Sequence, residues 1–137
     1  MNINKFLMFL FFVGFYSCCN SQSLKKIKSM ETNYQNCLDN GLNMKKCAEN
    51  YYLQIDLLLN EVYKEARLKI NQKEKDRLKS EQLKWIKNRD LYFKKAYAEA
   101  KDEAGDLSKE DLEMVFIDKK AEYVKERVHY LIKKFKV

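Results

Sequence analysis

Proline is absent from the 137 residues of this chain, and glycine occurs only three times. Proline interrupts helices and punctuates all-β folds, so its absence over this length favours long uninterrupted helices. Gly41 and Gly105 fall in short polar stretches between segments of helical apolar period, where helix ends place glycine. Histidine is scarcer still: His129 is the sole one, and no second His or Cys lies at zinc-site spacing from it, so no metal site is expected. The same scarcity removes Ser/His/Asp and Cys/His arrangements, and no glycine-rich phosphate loop is present. The carboxylates lie mostly on charged faces, with nothing to drive one pKa away from another as an acid/base pair requires. The chain is therefore expected to be a non-enzyme without cofactors. It also lacks a membrane-length apolar run, because the stretch Phe6 to Tyr16 is about half of the roughly 20 residues that a spanning helix needs.

What is present is charge, and plenty of it. Charged residues make up 34% of the chain and the formal net charge is +7. Such a balance raises the question of nucleic acid. Acids, however, are interspersed with the bases, as in Lys73-Glu74-Lys75-Asp76-Arg77, which describes mixed solvated faces. Nucleic acid is not an expected partner.

Residues 1–17 read as a secretory signal: one cation, Lys5, then the apolar run, then the small residue Ser17. Cys18 and Cys19 follow directly. A cysteine at that place is the lipoprotein arrangement, in which the thiol is acylated before cleavage, so Cys18 is the expected lipidation site, with Cys19 as the alternative. Several acyl chains anchor stably, since each buried CH₂ contributes about 0.8 kcal/mol. The expected location is the bacterial cell envelope, exported and lipid-anchored, in the periplasm or on the outer surface. Residues 18–36 are then expected to be the lipidated N-terminus and a polar tether, with a short extra helix over 24–36 as the alternative.

Cys37 and Cys47 enclose the turn signal Asp39-Asn40-Gly41. In an oxidising compartment such a pair is expected to form a disulfide rather than bind metal. Beyond it, three segments show helical period. The first carries Ala48, Tyr51, Ile55, Leu58, Val62 and Ala66, with Asn43 as expected N-cap. The second carries Leu78, Gln82, Trp85, Arg89, Tyr92 and Ala96, and the third Met114, Ile117, Ala121, Val124, Val128 and Leu131, opened by Ser108 as N-cap. The boundary at Ile70 to Glu74 is the weakest, having only Asn71-Gln72 to mark it, and a bent continuous helix is the alternative there. The expected fold is all-α: a small antiparallel three-helix bundle over 37–137, with one disulfide, preceded by the signal peptide and tether.

Polar residues set into the apolar stripes are the candidate site. Gln82, Trp85, Arg89 and Asp90 lie within about two turns of one helix, and Asp56 and Asn60 are four apart on another. A guanidinium near a core needs a partner, so Arg89 is expected to pair across the helices with Asp56 or Asn60 beside Trp85. A ligand-facing patch is the alternative.

These residues carry a resemblance. Met44-Lys-Lys-Cys47-Ala48, Asp56-Leu-Leu-Leu59-Asn60-Glu-Val-Tyr63 and Gln82-Leu-Lys-Trp85-Ile-Lys-Asn-Arg89-Asp90 resemble the LprI-type domain of bacterial exported lipoproteins over about Cys37 to Tyr97. The resemblance implies a helical, cysteine-clipped module that binds another protein, with lysozyme as the named partner, and a membrane contact through the lipid anchor. Family members often carry a cysteine three residues after the Arg-Asp pair. Phe93 stands there in this chain, so a second bridge is not expected. Animal lysozymes of the c type are strongly basic, which favours an acidic inhibitor. The local acidic patch Glu99, Asp102, Glu103 and Asp106 is the segment that offers one. The competing expectation is a structural or accessory envelope lipoprotein that does not bind lysozyme.

Overall fold

Ser23, Ile27, Met30, Tyr34 and Cys37 recur at alternating fours and threes, a one-sided stripe with no glycine or proline to interrupt it. In the computed structural model, which describes residues 18–103 and 105–137, this stripe is the inner face of a helix. The expected signal segment 1–17 lies outside the described residues. The elements are α1 (Cys18–Asp39), α2 (Met44–Leu68), α3 (Gln72–Glu103) and α4 (Lys109–Phe135). The fold is thus all-α with four helices, and the expectation of three helices behind a polar tether is corrected. The reason is packing. Ile27, only 3% exposed, enters the same core as Tyr51, Ile55 and Leu58 of α2 and Val124 and Val128 of α4. Tyr34 stacks on Tyr51 with ring centroids 4.7 Å apart and planes within 3°. One buried isoleucine and one stacked tyrosine hold a segment whose other residues are mostly polar.

The Cys37–Cys47 disulfide joins the end of α1 to the first turn of α2, with Cα atoms 5.8 Å apart. Gly41 turns the chain between them at φ 66°, and its N–H donates to the Leu38 carbonyl at 2.8 Å. Asn43 occupies the N-cap position of α2 but in the left-handed region, φ 52°, and its side chain caps nothing. Asparagine tolerates that conformation better than most residues. Ser108 does cap α4, accepting from the Asp111 N–H at 3.1 Å.

The boundary that looked weakest is a clean break. Asn71 Oδ1 accepts from the Glu74 N–H at 3.0 Å, and Glu74 Oε2 accepts from the Asn71 N–H at 3.2 Å. This reciprocal pair is a capping box, and it ends any continuity between α2 and α3. A bent continuous helix is excluded.

At the centre, α2 packs along α4, α1 runs antiparallel along α2 and touches α4, and α3 lies against α4. The stripe residues of the first periodic segment, Ala48, Tyr51, Ile55, Leu58, Val62 and Ala66, are all buried, as are Ala121, Val124, Val128 and Leu131 of α4. Helix α3 differs. Leu78, Ala96 and Ala100 are buried, but the residues between them on that face are large and half-buried, which holds its middle away from the core.

A cationic aromatic layer and an acidic end

The gap beside α3 is filled by rings. Trp85 stacks on Tyr123 of α4 at 5.8 Å, and Tyr92 stacks on the same ring at 4.3 Å. Phe93 meets Tyr52 of α2, Phe116 and Tyr123 edge-on, at 6.3–6.5 Å. Phe93 thus joins α3 to rings of both α2 and α4. Offset and edge-on pairs each add about 0.5–1.5 kcal/mol beyond area burial.

Cations thread this layer. Arg89 lies 5.7 Å from the centroids of both Trp85 and Phe93. Its hydrogen bonds run from Nε and Nη2 to Asp90 Oδ1, at 3.0 and 2.8 Å, within its own helix. The cross-helix pairing expected with Asp56 or Asn60 is therefore not made, while the neighbouring Trp85 ring is in place. Asn60 instead donates to the Asp56 carbonyl one turn back, at 3.0 Å. Gln82 reaches across to α4, its Oε1 accepting from Arg127 Nε at 3.0 Å. Arg127 sits 5.8 Å from Trp85 and 4.8 Å from Tyr130, with its Nη2 buried and unpartnered. Burial lowers its guanidinium from the usual range.

Lys120 was not singled out from the sequence. It lies 4.2 Å over Tyr52, and Phe93 and Phe116 are also within 5.5 Å. Burial depresses its ammonium, the like charge of Arg89 adds to that, and Asp56 opposes it. Its signal was the spacing Phe116-x-x-x-Lys120-x-x-Tyr123, which sets one cation between two rings on one helical face. Of the other motif residues, Leu59 is buried in the core, and Tyr63 is half-buried under Arg67, whose Nη1 donates to its hydroxyl at 3.5 Å. The layer thus brings together Gln82, Trp85 and Arg89 with Tyr52, Lys120, Tyr123 and Arg127. Leu59, Asn60 and Tyr63 lie apart from it.

His129 is exposed on α4. Among the described residues, no group of three or more His, Cys, Asp or Glu side chains could hold a metal ion. No helix of the described residues is long and apolar enough to cross a membrane.

The second feature is a segregation of charge along the bundle. From Glu99 to Glu113 the sequence carries seven acids and two lysines. Asp102, Asp106 and Glu110 are exposed there. Glu99 is matched by Lys95 at 3.4 Å, and Glu113 pairs with Lys45 at the start of α2. The hydrogen bond from Lys45 holds the Glu113 carboxyl below its ordinary value. Beside them a cavity of about 390 Å³ opens between the N-termini of α2 and α4, with Lys46, Glu49, Glu110 and Asp111 on its walls.

The fold and the site define a disulfide-clipped, four-helix module whose two ends differ in charge. The model of the family described as lysozyme inhibitor LprI matches residues 22–131, and the chain belongs to that family. The match takes in most of α1 and most of α4, well beyond the Cys37–Tyr97 stretch that carries the sequence motifs. No curated protein and no solved structure matches the chain.

Proposed function

We propose that the chain is an exported, lipid-anchored envelope protein, acylated at Cys18 (alternatively Cys19), that binds another protein without catalysis. The named partner is a basic lysozyme, inhibited stoichiometrically by occlusion of its cleft. Family membership supports the partner class. The observation that carries the reading is the acidic α3–α4 end. Although the whole chain is basic, this end presents Asp102, Asp106 and Glu110 to solvent, and complementary potential governs encounter with a basic partner. The cationic aromatic layer is half-buried and mainly fastens α3 to α2 and α4.

A turbidity assay with residues 18–137, which hold all four helices and their shared core, tests the activity. Lysis of a bacterial suspension by a c-type lysozyme should slow in proportion to added protein and stop near one equivalent. Unimpaired lysis at a large molar excess, with helical circular dichroism intact, would leave the accessory-lipoprotein reading in its place. Labelled palmitate incorporation in the full chain, lost in Cys18→Ser and kept in Cys19→Ser, tests the anchor.

A further inference from the structure

The end of the bundle opposite the acidic turn is strongly basic. Residues 67–77, spanning the α2–α3 turn, carry five cations and two acids, and residues 133–136 add Lys133, Lys134 and Lys136 with no acid. The two segments meet in space, because Lys69 Nζ donates to the Lys136 carbonyl at 2.6 Å. Helix α1 runs antiparallel to α2, being bridged to it at the far end and tied by Lys26 to Glu61, so its N-terminus lies at this same end.

Three properties distinguish this end from an ordinary solvated surface. First, Leu68 is 83% exposed, the highest value among the large hydrophobic residues that reach solvent. Second, among the described residues Lys73, Lys75, Lys133 and Lys136 form no ion pair, and the two acids of the turn are engaged: Glu74 in the capping box, Asp76 with the Gln72 amide at 3.0 Å. Third, helix-dipole compensation accounts for only part of the charge. Lys133 and Lys134 stand in the last turn of α4, where a cation is favourable, but Lys73 and Lys75 stand in the first turn of α3, where a cation is unfavourable. The fold itself does not account for them.

We infer that this end, built from the α2–α3 turn and the C-terminus of α4, docks on an anionic lipid surface, with Leu68 entering the interface and the lysines meeting the headgroups. An apolar residue ringed by basic ones fits a lipid surface better than a soluble polyanion, which offers charge but nothing for the leucine to enter. The contact requires neither acylation nor lysozyme. With the proposed anchor at the same end, acyl chains and basic patch would act on one membrane, and the acidic end would point away from it.

Co-sedimentation of residues 18–137, with Cys18→Ser and Cys19→Ser, on phosphatidylglycerol-containing vesicles and on pure phosphatidylcholine vesicles tests this without any acyl chain. Binding should be confined to the anionic vesicles and should weaken with salt. Lys73→Glu with Lys75→Glu should lower partitioning about thirty-fold or more, at roughly five-fold per lysine. This pair cannot fail through unfolding for electrostatic reasons, because acids at those positions suit the dipole of α3. The equal charge change Lys84→Glu with Lys87→Glu, midway along the exposed face of α3, should leave partitioning within about three-fold, since headgroup attraction decays within a Debye length. Equal losses in the two pairs, or no binding to anionic vesicles, would overturn the inference. A Leu68→Trp variant provides a second readout: its emission, after subtraction of the wild-type spectrum that Trp85 contributes, should shift to the blue on anionic vesicles, and an unshifted difference spectrum would count against insertion.

Discussion

Asp118 shows how one side chain carries a pH dependence. It is half-buried on α4, and burial raises its carboxyl above the ordinary value, an effect only partly offset by the Tyr34 hydroxyl that donates to Oδ1 at 2.6 Å. Burial, then this hydrogen bond, raises the Tyr34 hydroxyl in turn. A folded-state pKa above the unfolded one gives a stabilising contribution that is present at low pH and lost as pH rises through the folded value. Wild type should therefore gain stability relative to Asp118→Asn when pH falls from about 7 to about 4, and paired thermal melts would show it. A difference that stays constant or moves the other way would refute the assignment. Arg89 is a milder case. Its ion pair with Asp90 is solvent-exposed on the acid side, 56%, and its ring contacts are partly open. Arg89→Met should cost only about 1 kcal/mol in a denaturant titration. A loss of several kcal/mol would mean the guanidinium is a core tie after all.

At the scale of elements, α1 decides between the two architectures. A tether would tolerate Ile27→Ala without change, whereas a packed helix should lose about 2–5 kcal/mol, measured by urea denaturation. Reduction of Cys37–Cys47, which closes a separation of 10 residues, should cost about 2–3 kcal/mol more in the chain-entropy model. The long amphipathic helices were legible because Ala48 to Ala66 and Ala121 to Leu131 repeat their apolar residues without a gap. Helix α1 was legible only as a short alternative over 24–36, because its stripe holds a single large aliphatic, Ile27, amid Lys25, Lys26 and Lys28, and polarity outweighed period. The α2–α3 break was readable in principle: Asn71 and Glu74 have capping-box spacing, but no glycine or proline drew notice to it. Asn71→Ala should cost about 1 kcal/mol. The candidate site was half legible. Gln82, Trp85 and Arg89 share one helical face and could be grouped from spacing alone, but Lys120, Tyr123 and Arg127 come from a helix that only tertiary packing brings beside them. Arg89 took its partner from the next residue because the intervening space is occupied by rings rather than by Asp56.

Over the whole molecule the charges are sorted by end. Helix α3, 32 residues or about 48 Å long, separates a basic end holding Lys69, Lys73 and Lys136 from an acidic end holding Asp102, Asp106 and Glu110. Net charge alone predicts repulsion from a basic lysozyme. The sorted arrangement predicts attraction at one end, provided the other is turned away. Calorimetric titration of residues 18–137 with a c-type lysozyme at low ionic strength, set beside the variant Asp102→Lys with Asp106→Lys, tests this most directly. One-to-one binding that weakens at least about ten-fold in the variant, with unchanged helical content, is the predicted result. Heats indistinguishable from dilution, or equal affinities for the two proteins, would contradict it.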